Sequence, residues 1–428
     1  MRRVLLVATT TGYQIRSFGE AAERLGVRLV FASDRCDQLE DPWWDRAIPV
    51  RFHEEARSVD AVVSAFGGSP PDGIVAVGDR PAVLAARLAR AFGLAGHPPA
   101  AAETSRNKLA TRQALLATGL PTPWFESLPM DGDAEGLAVR VAYPAVVKPL
   151  AMSGSRGVVR VNDAAECVAA VARLRRLLRM RDVRIERDEA HAQALVEGFI
   201  PGTEYAIEGL LTQGTLQLLA ILDKPDPLDG PFFEETIYRT PSVAPPEVQR
   251  RIAAAVTAAS AAIGLHHGPV HAECRVSGDT VYVIEVAARP IGGLCSRALR
   301  FVDTPNDATG RSGEAVSLEE VLLRHALGED VSGYVREPAA SGVMMIPIPR
   351  RGIYRGVGGV DEARAVGGIE EVRITAKPDT TLVPLPEGKS YLGFIFARAA
   401  KPCAVDRALR DAHARLRFVI EREVVVRT

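Results

Sequence analysis

Lysine is scarce in this chain. Of the 52 basic residues among its 428, only six are lysines and 46 are arginines. Because a compact ammonium and a planar guanidinium do not replace each other, a lysine kept at the end of an apolar strand indicates that an ammonium is needed there, for example beside a phosphate oxygen. The lysines are Lys108, Lys148, Lys224, Lys377, Lys389 and Lys401.

The chain lacks the features of a protein that binds nucleic acid or membranes. Its net charge is −1, which argues against a polyanionic surface as the main partner. No segment approaches the roughly 20 apolar residues of a membrane span. The apolar run Val4–Ala8 follows two arginines, as in a signal peptide, but it is too short for export and leads into a polar loop. We interpret it as a first β-strand, and we expect small-molecule partners.

Cysteine is also rare, with five residues and no CxxC spacing. The pattern excludes a disulfide framework and a cysteine zinc site, and it is typical of reduced thiols in the cytoplasm. We therefore predict a cytoplasmic protein. The cysteines are Cys36, Cys167, Cys274, Cys295 and Cys403.

Strands and helices alternate over residues 1–100, which predicts a parallel α/β sheet. The loop Thr9–Gly12 after the first strand is not a GxGxxG fingerprint, so nicotinamide binding is disfavoured. Residues 104–120 are predicted to form one amphipathic helix with Lys108 in its first turn. A cation there opposes the helix dipole, which indicates either an anionic partner or a solvated face.

The segment Tyr143–Val158 reads YPAVVKPLAMSGSRGV and is the most informative in the chain. An apolar strand delivers Lys148, and the loop 153–157 that follows is rich in serine and glycine. Its N–H groups and hydroxyls could close over phosphates. A glycine-rich hairpin turn after a core strand fits the same residues.

Two carboxylates are predicted to share one face of a hairpin in Val270–Arg289. Even positions, including Tyr282 and Ile284, are apolar or aromatic and predict the core face, and a three-residue connection 277–279 would place Glu273 and Glu285 on the other face. Such a pair suits Mg²⁺. A solvent-facing sheet edge with ion pairs is the alternative. Together with Lys148 and its loop, the pattern favours the metal.

With Lys108, YPAVVKP, LVEGFIPGTEY and the Glu…Glu-x-x-x-Arg hairpin in this order, the chain resembles ATP-grasp ligases. TTTGYQIRSFGEAAERLGV and YLGFIFARA resemble the L-amino-acid ligase branch, whose members join a carboxylate to an amine. The resemblance implies an ATP-grasp fold of the α/β class, with a Rossmann-like parallel-sheet domain at the amino terminus and a mixed subdomain at the carboxyl terminus. The implied units are an N-terminal α/β domain (1–100), a small ATP-grasp subdomain with the phosphate loop (101–192), a large subdomain with the metal hairpin (193–330) and a C-terminal subdomain (331–428).

The resemblance also implies roles for individual residues. ATP and Mg²⁺, or Mn²⁺ in its place, are the implied cofactors, and Arg289 would steady the transferred phosphoryl group and the acyl phosphate. The phosphate ligands would be Lys108 and Lys148, with Ser153, Gly154, Ser155 and Gly157 as the covering loop. The adenosine contacts would be Glu197, Phe199 and Ile200 at the hinge and Glu204 at the ribose, and the metal ligands would be Glu273 and Glu285.

Two departures from the pattern concern the metal and the substrate. Ala287 stands where many ATP-grasp enzymes have an asparagine ligand, a variant that the amino-acid ligase branch also contains. Tyr238 stands where that branch often has histidine, in a segment that begins with Glu235. Glu235, Tyr238 and His271 are candidate substrate contacts, although a lone histidine on a sheet is more often structural. Lys224 is either a substrate contact or an exposed turn lysine.

The implied reaction is ATP-dependent joining of a carboxylate to an amine through an acyl phosphate, with ADP and phosphate as products. Amino acids or similar small metabolites are the expected substrates, and a homodimer is expected on general grounds. The alternatives are an ATP-grasp enzyme with another acceptor, such as bicarbonate, a thiol or a phosphoryl acceptor, and a nucleotide-binding protein without catalysis. The retained Glu273, Glu285 and Arg289 speak against the last.

Overall fold

The amino-terminal residues form a parallel sheet in the order β3-β2-β1-β4, as the alternation predicts. The computed structural model describes residues 1–10, 14–34, 47–303 and 314–422. The predicted loop Thr9–Gly12 lies partly outside these residues, and so does Cys36. The elements are β1 (Arg3–Ala8), α1 (Ile15–Leu25), β2 (Arg28–Ser33), β3 (Ile48–Pro49), α2 (Glu55–Phe66), β4 (Gly73–Val77) and α3 (Asp79–Phe92).

The predicted single helix over 104–120 is wrong. Two helices, α4 (Pro99–Arg106) and α5 (Lys108–Ala117), meet at Asn107. Asn107 has extended backbone angles, and its Oδ1 accepts hydrogen bonds from the amides of Leu109 (3.0 Å) and Ala110 (3.2 Å). Asparagine is a preferred N-cap residue, so the break has a local cause. Lys108 is thereby the first residue of its own helix.

A four-stranded antiparallel sheet in the order β5-β8-β6-β7 follows, and Lys148 lies near the end of its strand β6. Helix α7 packs its apolar face on this sheet, with Cys167, Val171 and Leu174 buried. The elements are β5 (Phe125–Pro129), α6 (Ala134–Ala138), β6 (Ala145–Pro149), β7 (Val159–Val161), α7 (Ala164–Leu178), α8 (Arg181–Arg184) and β8 (Gln193–Gly198).

The remaining chain builds a large sheet and two small ones. The first of its elements are β9 (Thr203–Thr212), β10 (Thr215–Asp223), β11 (Ile237–Thr240), α9 (Pro246–Ile263), β12 (Gly268–Ser277), β13 (Thr280–Ala287), β14 (Arg300–Asp303), β15 (Val316–Ser317) and α10 (Leu318–Ala326). The last are β16 (Tyr334–Arg336), β17 (Ala340–Ile346), β18 (Gly352–Gly358), α11 (Val360–Arg364), β19 (Ile369–Ile374), β20 (Thr381–Leu382), β21 (Gly393–Ala399), α12 (Pro402–His413) and β22 (Arg417–Glu421).

Eight antiparallel strands form the large sheet, in the order β13-β12-β9-β10-β11-β17-β21-β19. It combines strands from both of the predicted segments 193–330 and 331–428, and the domain boundaries themselves stay a prediction. The mixed α/β class with a parallel amino-terminal sheet is confirmed. Within the described residues, no helix has both the length and the apolar character of a membrane span.

The hairpin of β12 and β13 differs in detail from the prediction. Ser277 pairs with Thr280, so the connection has two residues and not three. A bulge at Ile284 restores the register, and Glu273 does lie opposite Glu285. As a result, Val281 and Val283 are buried in the core, whereas Tyr282 and Ile284, predicted on that face, are not. An extra residue in one strand shifts the alternation of faces by one, which a strict period of two does not anticipate.

Candidate active site

One cavity of about 470 Å³ collects the predicted site residues. Its walls come from the carboxyl edge of the parallel sheet, from the loop after β6 and from one face of the large sheet. Every predicted site residue except Gly157 lines it. Gly157 donates its amide to the carbonyl of Pro386 (2.7 Å), and a side chain there would lie 2.9 Å from Leu177. Its role in the structure is therefore close packing behind the loop.

Lys148 forms a buried ion pair with Glu197, whose carboxylate also binds Arg112. The distances are 2.5 Å from Lys148 Nζ to Oε1 and 2.7 Å from Arg112 Nε to Oε2. Burial favours a raised pKa for Glu197, but Arg112 and Lys148 outweigh it and hold the pKa at about 2. Burial lowers the pKa of Lys148 to about 8 against the attraction of Glu197. The Glu197 carboxylate thus binds two cations. A ligand at this end of β8 would therefore meet main-chain groups and not the Glu197 side chain.

Lys108 connects the loop after β6 to the carboxylate hairpin. Its Nζ donates to the carbonyl of Met152 (2.8 Å) and lies 3.0 Å from Glu285 Oε2. This contact places an ammonium between the loop and one of the two predicted metal ligands. Sequence reasoning identified both residues but could not predict that they meet.

An aromatic and cationic platform lies at the end of β8. The rings of Phe199 and Phe233 stack with centroids 6.3 Å apart, and the guanidinium carbons of Arg160 and Arg275 lie 4.2 Å and 5.1 Å from the Phe199 centroid. Arg275 also donates to Glu204 Oε2 (2.8 Å). Arg275 is two residues from Glu273 on β12 and therefore shares its strand face, but no local pattern assigns it a role. Such a platform suits a flat, electron-rich ring.

Lys224 is buried among three carboxylates, so its interpretation as an exposed turn lysine is wrong. Its Nζ lies 2.7 Å from Glu204 Oε1, 2.5 Å from Glu235 Oε1 and 3.0 Å from Glu273 Oε1. Burial opposes the charge, but the carboxylates raise the pKa of Lys224 well above its usual value. Burial raises the pKa of Glu235 to about 8, although Lys224 lowers it. The Tyr238 ring centroid lies 5.1 Å from the ammonium.

The donor set of the hairpin fits a hard divalent cation. Glu273 and Glu285 are cross-strand neighbours that both line the cavity, and carboxylate oxygens are what Mg²⁺ prefers. Oxygens of Glu204, Glu235 and Glu273 also lie within 4.8 Å of one another. Glu285 pairs with Lys108 and Glu273 with Lys224, so each predicted ligand has one lysine partner.

Arg289 forms a buried pair with Asp79, the first residue of α3. Its Nε and Nη2 lie 2.6 Å and 3.4 Å from the two Asp79 oxygens. Burial tends to raise the pKa of Asp79, but Arg289 lowers it on balance. Asp79 was missed as a site residue. Its position after β4, at the carboxyl edge of a parallel sheet, was the signal that could have found it.

His271 is held by Glu208, a second residue that sequence reasoning missed. His271 Nδ1 lies 3.1 Å from Glu208 Oε2, and the same carboxylate accepts the amide of Ile291 (3.1 Å). Glu208 is fully buried, and burial raises its pKa. A lone glutamate in the apolar strand YAIEGLL was the available signal. The structural role favoured for His271 is consistent with this contact, and the ring also lines the cavity.

Three family models match this chain. The ATP-grasp domain matches residues 141–298, the ATP-grasp N-terminal domain residues 19–96, and the L-amino acid ligase C-terminal domain 2 residues 344–421. The predicted resemblance to ATP-grasp ligases and to their L-amino-acid ligase branch is therefore confirmed.

Relatives and a solved structure agree with these matches. The uncharacterized protein y4rH of Sinorhizobium fredii is 25% identical over 417 residues, which are 96% of this chain and 82% of that protein. Carnosine synthase 1 of Gallus gallus is 32% identical over 298 residues, but this chain spans only 31% of its length. The crystal structure of an L-amino acid ligase from Bacillus licheniformis superposes with a TM-score of 0.80 at 29% identity, covering 98% of this chain and 99% of that one.

Proposed function

We propose that this chain, which belongs to the ATP-grasp superfamily, is an ATP-dependent carboxylate–amine ligase that forms an amide bond and releases ADP and phosphate. The observation that carries the proposal is the convergence of Lys108, Lys148, Glu273, Glu285 and Arg289 on one cavity. These residues come from three distant parts of the sequence. Together they form the set that neutralises charge in phosphoryl transfer.

ATP would lie between the small sheet and the large one. Lys148 and Lys108 would hold its phosphates, and the loop residues Ser153, Gly154 and Ser155 would cover them. The Phe199 platform offers a face for adenine, and the main-chain groups of Phe199 and Ile200 are available to its edge. Glu204 Oε2 accepts a hydrogen bond from Arg275 of the same platform, and Glu204 would bind the ribose hydroxyls.

Glu273 and Glu285 would hold Mg²⁺, or Mn²⁺ in its place. When bound, the ion would neutralise phosphate charge, and Lys108 and Lys148, which line the same cavity, would add positive charge. Ala287 offers no ligand atom, and its side chain is buried. Within this hairpin, Glu273 and Glu285 would therefore be the residues that coordinate the ion.

The chemistry follows from the poor leaving group of a carboxylate. A substrate carboxylate oxygen attacks the terminal phosphorus of ATP, the bond to the bridging oxygen breaks, and ADP leaves. The amine nitrogen then attacks the carbonyl carbon of the acyl phosphate, the C–O bond breaks, and phosphate leaves as the nitrogen loses a proton. Arg289, oriented by Asp79, is placed to stabilise the phosphoryl oxygens, and closure of the loop excludes the water that would hydrolyse the intermediate.

The substrates are proposed to be two amino acids or similar small metabolites. Glu235, Tyr238 and His271 line the cavity beyond the phosphate ligands and are the proposed substrate contacts. A homodimer in the cytoplasm is proposed on the grounds given by the sequence, and light scattering on the purified protein tests the dimer.

The test is ATP turnover with pooled amino acids. Purified protein is incubated with ATP, Mg²⁺ and the pool, and ADP and phosphate are measured against a control without amino acids. Amino-acid-dependent release of both, lost in Lys148→Met and kept in the exposed variant Lys377→Met, supports the proposal. AMP as product contradicts the acyl-phosphate route. ATP binding without release from any pool would contradict the ligase assignment and favour a non-catalytic role.

A further inference from the structure

One part of the cavity lining consists of side chains without a formal charge. This part is formed by Ile291, Cys295, Met345, Tyr391 and Phe394, which we call the apolar wall. Cys295, Met345 and Phe394 are at most 4% exposed, yet all of them line the cavity. Because these side chains are shielded from bulk solvent, a ligand can contact them only from inside the cavity. The chemistry of the apolar wall therefore indicates what kind of substrate group binds there.

The apolar wall is rigidly built from distant segments. Met345 on β17 and Phe394 on β21 are directly paired in the large sheet. Cys295 Sγ lies 3.7 Å from Met345 Sδ, and the Tyr391 and Phe394 rings meet edge to face with centroids 6.0 Å apart. These contacts bind the wall into one of the hydrophobic clusters of the core. Its shape is thus set by packing before any ligand arrives.

The charged groups that act on Cys295 of the apolar wall are already paired. Glu235, Lys224 and Glu208 are the charges that act on the Cys295 thiol, whose pKa is raised chiefly by burial. Glu235 is bound to Lys224, and Glu208 is bound to His271 and to the Ile291 amide. A charged substrate group placed beside Cys295 would lose its water, and none of Glu235, Lys224 and Glu208 offers it a free counter-charge. Binding a charged group there would therefore cost free energy, whereas an apolar group would gain free energy by leaving water.

The apolar wall adjoins the place where the carboxylate would react. Ile291 is two residues from Arg289, and a side chain at the next residue, Gly292, would lie 3.9 Å from Arg289 Nη1. A substrate whose carboxylate faces Arg289 therefore extends its remaining atoms over Ile291 toward Cys295 and Met345. On the basis of the proposed function, we propose that the carboxylate substrate is an acid with a neutral, apolar side chain, bound against the apolar wall.

Thioether and aromatic surfaces adapt to aliphatic, thioether and aromatic groups. The site is thus suited to amino acids of the methionine, leucine and phenylalanine type as acyl donors. Aspartate, glutamate, lysine and arginine are excluded from this position by desolvation of their charge.

A donor assay with hydroxylamine tests this class directly. Single L-amino acids are supplied with ATP, Mg²⁺ and hydroxylamine, which attacks the acyl phosphate, forms a C–N bond and displaces phosphate. The hydroxamate reports the donor whatever the natural amine is. Apolar donors should exceed charged donors in kcat/KM by at least about tenfold, which is the discrimination expected from a buried apolar pocket.

Adjacent methionines provide a matched pair of variants. Met344 and Met345 are equally buried at 4% exposure, but successive strand residues face opposite sides, and only Met345 lines the cavity. Met345→Ala should raise the kcat/KM ratio of phenylalanine to alanine by about tenfold, and Met344→Ala should leave that ratio unchanged. A ratio of two donors measured on one preparation is independent of the fraction that is folded.

Each outcome decides the proposal. A preference for charged donors, with hydroxamate formed, overturns the apolar donor while the ligase function stands. An equal change of the ratio in both methionine variants, or none in either, removes the apolar wall from donor selection. Absence of hydroxamate and of phosphate release with every carboxylate overturns the proposed function together with this inference.

Discussion

The two ends of the cavity bury their side chains by opposite means. At the phosphate end, Lys148 and Arg112 are buried against the Glu197 carboxylate, so that each charge is compensated by a partner. At the other end, Cys295 and Met345 are buried by packing alone. Buried charges need partners because desolvation is costly, whereas apolar groups need only volume. Substitutions at the two ends should therefore affect activity and stability by different mechanisms.

The largest effect is expected for a carboxylate at the phosphate end. Glu285→Gln keeps the size of the side chain but removes the charge that would hold the metal, so ADP release should fall by about 1,000-fold or more. Glu247→Gln, at an exposed helix position, is the control and should turn over normally. Lys148→Ala should be equally inactive while remaining folded. Near-normal turnover in the folded Glu285 or Lys148 variant would contradict the proposed role of these charged residues in ATP turnover.

Stability should be affected most by Arg112. Arg112→Met leaves the buried Glu197 with Lys148 as its remaining cation, and we expect a loss of about 3–5 kcal/mol in the free energy of unfolding. Arg250→Met removes an exposed pair with Glu247 and should cost less than about 1 kcal/mol. Urea unfolding monitored by circular dichroism measures both. Equal losses in the two variants would show that burial does not distinguish the pairs.

A third region shows what burial does to titratable groups without counter-charges. His97 Nδ1 accepts the amide of His266 (3.2 Å) and its Nε2 contacts the Pro269 carbonyl (3.1 Å), while His325 stacks on His267 and contacts Thr212. Burial, together with the neighbouring histidines, lowers the pKa of His97 and of His325 to about 4. The rings of His97 and His325 are therefore neutral in the folded protein at pH 7.

Acid should therefore destabilise the protein through His97. Since its unfolded pKa is about 6.5, the unfolded chain binds the proton first, and stability is lost as the pH falls from 6.5 toward 4. His97 alone should account for about 2 kcal/mol between pH 7 and pH 5. His97→Gln should reduce the pH dependence of urea unfolding by this amount, and His53→Gln, outside the cluster, should not. An unchanged pH dependence in His97→Gln would show that folding does not lower the pKa of the His97 ring.

The smallest effect is expected at the apolar wall for a change that conserves volume. Met345→Leu should alter turnover of an apolar donor by less than about threefold and stability by less than about 1.5 kcal/mol. The measurement is hydroxamate formation together with urea unfolding, beside Lys148→Met as the contrasting change at the phosphate end. A loss comparable to that of Lys148→Met would mean that Met345 has a specific chemical role and not only a packing one.

Much of the candidate site was predictable because charged chemistry leaves local patterns. Lys148 follows an apolar strand, and Glu273, Glu285 and Arg289 lie on one hairpin. Even here, Glu273 and Glu285 reached their predicted pairing through a bulge at Ile284 that the strict alternation missed. The helix break at Asn107 was also overlooked, although asparagine is a common N-cap.

The missed residues are those whose meaning depends on a distant partner. Arg112 meets Glu197 across 85 residues, Glu208 meets His271 across 63, and Asp79 meets Arg289 across 210. No window of sequence contains both members of any of these pairs. The sequence left Lys224 as either a substrate contact or an exposed turn lysine, and only the fold surrounds it with three carboxylates.

The sequence by itself indicated the superfamily, the mixed α/β class and several charged residues of the candidate site, such as Lys148 and Glu285, because charge, glycine and spacing are distinctive within short segments. Only the tertiary structure decided which residues form the apolar wall. Met344 and Met345 are chemically identical and adjacent, yet one lies in the core and the other also borders the cavity. An apolar side chain carries no local mark of its destination, since packing against distant strands places it.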